Sequence, residues 1–216
     1  MAQAGISTYL ADVKAALQQK YPANRTINLV FHGHSVPTGY GRTPEVHRPV
    51  AYPFMMLNRL QRHYPFSVVN TITTAIGGET SAAGEKRFKR DVLTHRPDVI
   101  FIDYSLNDRR IGLEKAKAAT EKMIKIALRK HIKVILLTPS PDLKVDITVP
   151  GNILEQHANQ VIALAKKYQV GVADSYAAFV QIAKAGGDLH RYMAQYNHPN
   201  GKGHAVIAEE IMKWFE

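Results

Sequence analysis

Short apolar segments alternate along the chain with longer segments in which apolar residues recur every three or four positions. The short segments are rich in β-branched residues and bounded by polar residues, Pro or Gly, which predicts strands buried on both faces. The longer segments have the period of amphipathic helices. The predicted strands are residues 27–31, 66–69, 99–102, 133–137 and 169–172. This alternation predicts an α/β fold, a three-layer α/β/α sandwich around about five mostly parallel strands.

The helical stripes support the same architecture. One stripe contains Leu10, Val13 and Leu17, near the amino terminus. The others contain Leu113, Ala116, Met123, Ile124, Ala127 and Leu128; Ile153, Leu154, Ala158, Val161, Ile162 and Ala165; and Ile207, Ile211, Met212 and Phe215. The 216 residues hold no internal repeat and no Ser/Gly linker, so we expect one domain over residues 1–216.

Composition removes several classes of protein. The chain has no cysteine, which excludes a disulfide framework, a thiolate metal site and a Cys nucleophile. Uninterrupted aliphatic stretches such as residues 134–137 are far shorter than the ~18 residues of a membrane-spanning helix. Asp12, Lys14 and Lys20 interrupt what would be the apolar core of a signal peptide. We therefore expect a soluble chain, either cytoplasmic or secreted with its signal already removed.

The net charge of +10 raises the question of an anionic partner. The densest basic cluster, Lys86, Arg87, Lys89 and Arg90, falls in a predicted helix without interleaved aromatic residues. Base stacking needs such aromatic residues, so we interpret the cluster as a solvated helix face and expect no nucleic-acid partner.

Candidate chemistry lies where strands end, because ligands of open α/β sheets bind outside the carboxyl ends of the strands. Ser35 follows the first strand in a glycine-bearing turn and is either a nucleophile or a helix cap. Gly77 and Gly78 follow the second strand and either present amides to an oxyanion or form a simple turn. Asn107 follows the third strand as an oxyanion donor or a turn-former. His198, in a loop before the last helix, is a candidate general base.

The order Ser35, Gly78, Asn107, His198 resembles the four blocks of the SGNH hydrolases, also called GDSL esterases and lipases, over residues 26–215. The parts of the sequence most specific to this family pattern are residues 76–80 and the segment from His198 to His204. The resemblance implies a flavodoxin-like fold, Ser35 as the nucleophile and His198 as its base. It also implies an oxyanion hole formed by the Ser35 and Gly78 amides and the Asn107 side chain, without metal or cofactor.

Two positions depart from the family pattern. The Gly-Asp-Ser-Leu signature is Gly33-His34-Ser35-Val36 here, so a histidine replaces the acidic residue beside the nucleophile. The aspartate normally three residues before the final histidine is Gln195. We expect a Ser–His dyad in which either Gln195 or a nearby backbone carbonyl orients His198.

Residues beside the blocks have less defined roles. Tyr40, Arg42, Tyr104 and Arg109 either line the substrate pocket or pack in turns. His32, His34 and His47 do not have a recognisable metal-ligand spacing. We expect His204 to make a structural hydrogen bond, and we expect surface positions for the histidines in or near helices, His63, His95, His131 and His157.

The resemblance implies a carboxylic-ester hydrolase. We expect a short acyl group, transferred through an acyl-Ser35 intermediate. Many bacterial family members that share His-Pro-Asn in the last block remove acetyl groups from carbohydrates, so the resemblance implies an O-acetyl ester of a carbohydrate as the first expected substrate. Two alternatives stay open: a lysophospholipase or arylesterase, and a non-catalytic carbohydrate- or anion-binding protein, which the positive charge would suit. The sequence leaves the oligomeric state undetermined.

Overall fold

A computed structural model describes residues 4–216. Its main sheet has five parallel strands in the order β2-β1-β3-β4-β5, which is the doubly wound order of flavodoxin-like folds. The predicted fold class is confirmed. The strands are β1 (Thr26–Gly33), β2 (Val68–Thr73), β3 (Val99–Asp103), β4 (Lys133–Leu137) and β5 (Gly171–Ala173).

Two strands lie later in the chain than predicted. The predicted strand at residues 66–69 becomes β2 at Val68–Thr73, an edge strand with a half-exposed burial pattern. Polar residues such as Asn70 and Thr71 are compatible with an edge, where one side of the strand meets solvent. The last strand begins at Gly171 because Gln169, in the left-handed conformation at φ 53°, ends the preceding helix.

Helices cover both faces of the sheet and form two apolar cores, one on each face. One core joins the sheet to α1, α3, α8 and α9, and the other joins it to α4, α6 and most of α7. The helices are α1 (Ala11–Leu17), α2 (Ser35–Thr38), α3 (Tyr52–His63), α4 (Ser81–Asp91), α5 (Ser105–Asp108), α6 (Leu113–Leu128), α7 (Ile153–Tyr168), α8 (Ser175–Lys184) and α9 (Gly201–Met212). Within residues 4–216, none of these helices is long and apolar enough to cross a membrane.

A two-stranded antiparallel hairpin precedes the last helix. It consists of β6 (Met193–Gln195) and β7 (His198–Pro199), and it places His198 at a fixed position beside the sheet. The core stripe predicted for the last helix is buried as expected, although Phe215 lies beyond the end of α9 at Met212.

Two surface predictions need correction. His157 is only 1% exposed, because it lies on the buried side of α7. The basic cluster of α4 is not uniformly solvated. Lys86, Lys89 and Arg90 are exposed, whereas the Arg87 side chain is 10% exposed and pairs with Glu79 and Asp91. His63, His95 and His131 are exposed as predicted.

Candidate active site

The serine turn begins where β1 ends. Gly33 pairs with Asp103 of β3 so closely that a side chain at position 33 would collide with the Asp103 carbonyl. Ser35 is the first residue of the one-turn helix α2, and His34 is its cap, since the His34 ring accepts the Val36 N–H at 3.2 Å. Ser35 is therefore not itself the cap, and its side chain is available for another role.

The Ser35 hydroxyl is hydrogen bonded to His198. Oγ of Ser35 and Nε2 of His198 are 2.9 Å apart, although the two residues are separated by 163 positions in the sequence. Both residues are buried. Burial lowers the pKa of His198 below its usual value, an effect partly offset by the Gly41 carbonyl. A neutral imidazole at neutral pH is the form that a general base requires.

The other nitrogen of His198 contacts a backbone carbonyl. Nδ1 lies 2.9 Å from the carbonyl oxygen of Gly41, which can only accept, so Nδ1 carries the hydrogen and Nε2 presents its lone pair to Ser35. Gln195 does not make this contact. Its Oε1 accepts the Thr43 N–H at 3.0 Å and its Nε2 donates to Asn197 at 3.0 Å. Of the two orienting groups considered, the backbone carbonyl occupies the position, and Gln195 braces the neighbouring loop.

Three N–H groups on adjacent turns are available for an oxyanion. Within the described chain, the backbone N–H groups of Ser35 and Gly78 donate no hydrogen bond. Gly78 has φ 78°, a conformation that favours glycine. One side-chain N–H of Asn107 donates to the Glu79 carbonyl at 3.0 Å, which leaves the second N–H unused.

Hydrogen bonds tie these turns together. The Ile76 N–H donates to the Gly33 carbonyl at 3.1 Å, which connects the glycine turn to the serine turn. Asp108 accepts the Ser81 N–H at 2.8 Å and thereby anchors α5 to the start of α4. Burial raises the pKa of Asp108 to about 6. The donors lie at the carboxyl ends of β1, β2 and β3, three neighbouring strands.

A buried ion pair supports the glycine turn from behind. Nε of Arg87 donates to Glu79 at 2.7 Å, and a second Arg87 nitrogen also contacts this carboxylate. The Tyr104 hydroxyl donates to the same carboxylate at 2.9 Å. Sequence reasoning missed this support, because an arginine within a basic helical cluster resembles a surface residue.

The four residues considered for the pocket are placed differently. Tyr40 lies beside His198, with ring centroids 5.9 Å apart, and packs against Gly77. Arg42 is exposed in the following loop. Tyr104 is buried below α4 and does not line the pocket. Arg109 donates to Leu106 and Asp142, each at 2.7 Å, and so braces the loop after β4.

The remaining histidines have structural contacts. His204 is buried, accepts the Tyr52 N–H at 3.3 Å, and has its pKa lowered by burial to about 3. His32 is buried between Thr74 and the Gly84 carbonyl, and burial lowers its pKa to about 4. His47 is exposed beside Glu45. In residues 4–216 no three His, Asp or Glu side chains are grouped closely enough to hold a metal ion.

A model of the GDSL-like Lipase/Acylhydrolase family matches residues 31–206, which include the serine turn, the glycine turn, Asn107 and His198. The chain belongs to this family. Its members are lipases and acylhydrolases, which cleave carboxylic esters. No curated protein matches the chain in sequence.

Solved structures share the fold. A two-domain esterase active on acetylated mannans is 20% identical, with a TM-score of 0.78 over 99% of this chain and 53% of that one. The present chain thus spans about half of that protein. Axe2, an acetylxylan esterase from Geobacillus stearothermophilus, is 20% identical, with a TM-score of 0.75 over 88% of this chain and 94% of that one. At this level of identity the likeness establishes the fold.

Proposed function

We propose that the protein is a serine esterase that removes short acyl groups, foremost acetyl groups, from carbohydrates through an acyl-Ser35 intermediate. The observation that carries the proposal is the 2.9 Å contact between the Ser35 hydroxyl and Nε2 of His198. A hydroxyl beside a neutral imidazole is the arrangement that activates serine for acyl transfer.

In the acylation step, Ser35 Oγ bonds to the ester carbonyl carbon while Nε2 of His198 takes the hydroxyl proton. The carbonyl π electrons move to the oxygen, and the Ser35, Gly78 and Asn107 N–H groups stabilise the resulting negative charge. The intermediate then collapses and breaks the bond to the sugar oxygen, which receives the proton from Nε2 of His198. Acetyl-Ser35 remains.

In the deacylation step, His198 takes a proton from water, and the hydroxide oxygen bonds to the acyl carbon. Collapse of this second intermediate releases acetic acid and returns the proton to Ser35 Oγ. During both steps the Nδ1–H of the imidazolium donates a hydrogen bond to the Gly41 carbonyl. A neutral carbonyl stabilises the imidazolium less than a carboxylate does, but it holds the ring in the same tautomer.

Two observations support a carbohydrate as the alcohol portion. Structural neighbours of the chain act on acetylated mannans and acetylated xylan. Tyr196, two residues before His198, is 43% exposed, and the Lys144 ammonium lies 4.0 Å from its ring centre. Tyr196 lies in the hairpin that carries His198, and an exposed aromatic ring gives a sugar ring an apolar surface to pack against.

The test combines a fluorophosphonate probe with an ester panel. The wild-type protein should be labelled at Ser35 and should cleave p-nitrophenyl acetate and acetylated xylo- and manno-oligosaccharides. Ser35→Ala should lose labelling and lower kcat by on the order of 1,000-fold or more, whereas the exposed Ser7→Ala should match the wild type. Labelling with a preference for long acyl chains would indicate a lipase-like substrate. Neither labelling nor turnover would indicate a binding protein.

A further inference from the structure

His34, which stands where the family has an acidic residue, is buried directly before Ser35. Its Nδ1 accepts the Val36 N–H at 3.2 Å. A nitrogen that accepts a hydrogen bond carries no hydrogen, so the neutral ring must carry its hydrogen on Nε2. The local backbone thus determines the tautomer of His34.

Nε2 of His34 faces a buried carboxylate. It lies 3.4 Å from Oδ1 of Asp103 without forming a hydrogen bond, and within residues 4–216 this nitrogen has no hydrogen-bond partner. The other oxygen, Oδ2, accepts the hydroxyl of buried Tyr52 at 3.0 Å. In the described part of the chain, His34 is the only His, Lys or Arg within 4 Å of this carboxylate. A buried carboxylate without donors is costly, so the Tyr52 hydrogen bond and the polar edge of the imidazole beside Oδ1 together accommodate it.

His34 cannot act as a second base for Ser35. Its basic nitrogen is occupied by Val36, and the Ser35 hydroxyl is bonded to His198 instead. What His34 controls is the backbone on either side of the nucleophile. By taking the Val36 N–H it fixes the first turn of α2, and the Ser35 N–H stays unpaired and available for the oxyanion.

We propose that His34 is a positioning residue for Ser35, working as a neutral Nε2–H imidazole that accepts the Val36 N–H and turns its Nε2–H edge to the Asp103 carboxylate; this rests on the proposed esterase function. Position 34 has no acidic side chain here, but Asp103 supplies a carboxylate nearby, at the end of β3, which is the strand next to β1. The histidine bridges the two strands and orients both the hydroxyl and the amide of the nucleophile.

The contact between His34 and Asp103 can be tested with variants that change the charge at each position. His34→Asp restores the family residue but places two carboxylates together in a buried site, where only one can ionise readily. Asp103→Asn in the same chain removes that conflict. His34→Asn keeps an oxygen for the Val36 N–H and a donor for Asp103, whereas His34→Ala removes both. His63→Asn, on the exposed end of α3, is the matched control.

Kinetics on p-nitrophenyl acetate and the rate of fluorophosphonate labelling are measured together with thermal unfolding. His34→Ala should lower kcat and labelling by about 10- to 100-fold with KM within about 2-fold, because misplacement of a catalytic group affects the reaction more than binding. His34→Asn should recover most of this loss. His34→Asp should be at least as slow as His34→Ala, and adding Asp103→Asn should recover about 5-fold or more.

The proposal is overturned if folded His34→Ala keeps the wild-type kcat, or if Asp103→Asn makes no difference to His34→Asp. A measurement on the wild type avoids dependence on variants that fail to fold. The ring ¹⁵N chemical shifts of His34 should show hydrogen on Nε2 and none on Nδ1, and hydrogen on Nδ1 would refute the proposed tautomer and with it the proposal. A wild type that neither reacts with the probe nor cleaves ester refutes the esterase function itself, whatever the state of His34.

Discussion

Replacing Arg87 with leucine should destabilise the protein and slow it, although Arg87 touches none of the reacting groups. The side chains of Arg87 and Glu79 are each 10% exposed. Removal of the guanidinium leaves the Glu79 carboxylate unpaired in a buried site, with the Tyr104 hydroxyl as its remaining side-chain donor. Breaking a buried pair from one side costs about 3 kcal/mol. For a domain of this size that corresponds to a fall in Tm of about 6–12 °C.

The expected loss of activity in Arg87→Leu follows from the backbone of Glu79. The Glu79 carbonyl holds the Asn107 amide at 3.0 Å, and Glu79 directly follows Gly78. A loosened Glu79 should therefore displace two of the three proposed oxyanion donors, and we expect kcat to fall by about 10-fold while KM changes little. Thermal unfolding and p-nitrophenyl acetate kinetics measure the two effects separately.

Two further variants separate charge from position. Arg90→Leu removes an arginine of the same helix whose side chain is 78% exposed, and it should leave Tm close to the wild-type value. Arg87→Leu combined with Glu79→Gln should regain most of the stability, since no charge is left buried, but not the full kcat. If Arg87→Leu and Arg90→Leu lowered Tm and kcat by equally small amounts, the view that a buried ion pair holds the glycine turn would be refuted.

Four other results are expected. Gln195→Asp should keep kcat within about 3-fold of the wild type, because this side chain does not contact His198. The acid limb of the kcat/KM profile should lie below pH 6.5: burial lowers the pKa of His198, the base works only when neutral, and activity is lost as pH falls through that lowered pKa. Asn107→Ala should lower kcat by about 100- to 1,000-fold with little change in KM. Tyr196→Ala should raise KM for acetylated oligosaccharides by about 10-fold without affecting p-nitrophenyl acetate.

Controls and contrary outcomes differ among these four. Asn70→Ala, on the exposed edge strand β2, and Tyr21→Ala, in an exposed turn, should leave the kinetics unchanged. A loss above about 30-fold in folded Gln195→Asp would assign that side chain a direct role. An acid limb above pH 6.5 would show that the imidazolium is stabilised more than the buried site with its neutral acceptor allows. If Tyr196→Ala changed KM equally for acetylated oligosaccharides and for p-nitrophenyl acetate, Tyr196 would have no role in sugar recognition.

The sheet could be predicted because its central strands are buried on both faces and consist almost entirely of apolar residues. The polar edge strand β2 and the short β5 were displaced in the prediction because neither has such a pattern. The four candidate catalytic positions could also be located, since strand ends of a parallel sheet share one edge. Each of them carries a side chain or glycine whose chemistry is visible in the sequence.

The contacts that orient these residues could not be predicted. The partner of His198 is a main-chain carbonyl 157 positions away, and a carbonyl has no signature in the sequence because every residue has one. Arg87 and His157 were misassigned for a related reason: basic residues on amphipathic helices usually meet solvent. Only the tertiary structure places Glu79 against Arg87, and only the packing of α7 buries His157.

Both departures from the family pattern become understandable from these contacts. At position 195 the missing carboxylate is replaced by the Gly41 carbonyl, which retains the tautomer of His198 but adds no negative charge. At position 34 a carboxylate is still present nearby, on Asp103, and a histidine stands between it and the nucleophile turn. A neutral acceptor therefore contacts Nδ1 of His198 where the family pattern has a carboxylate. Since orientation and tautomer are what a base needs to accept the serine proton, we expect the proposed Ser35–His198 pair to operate without a third acidic side chain.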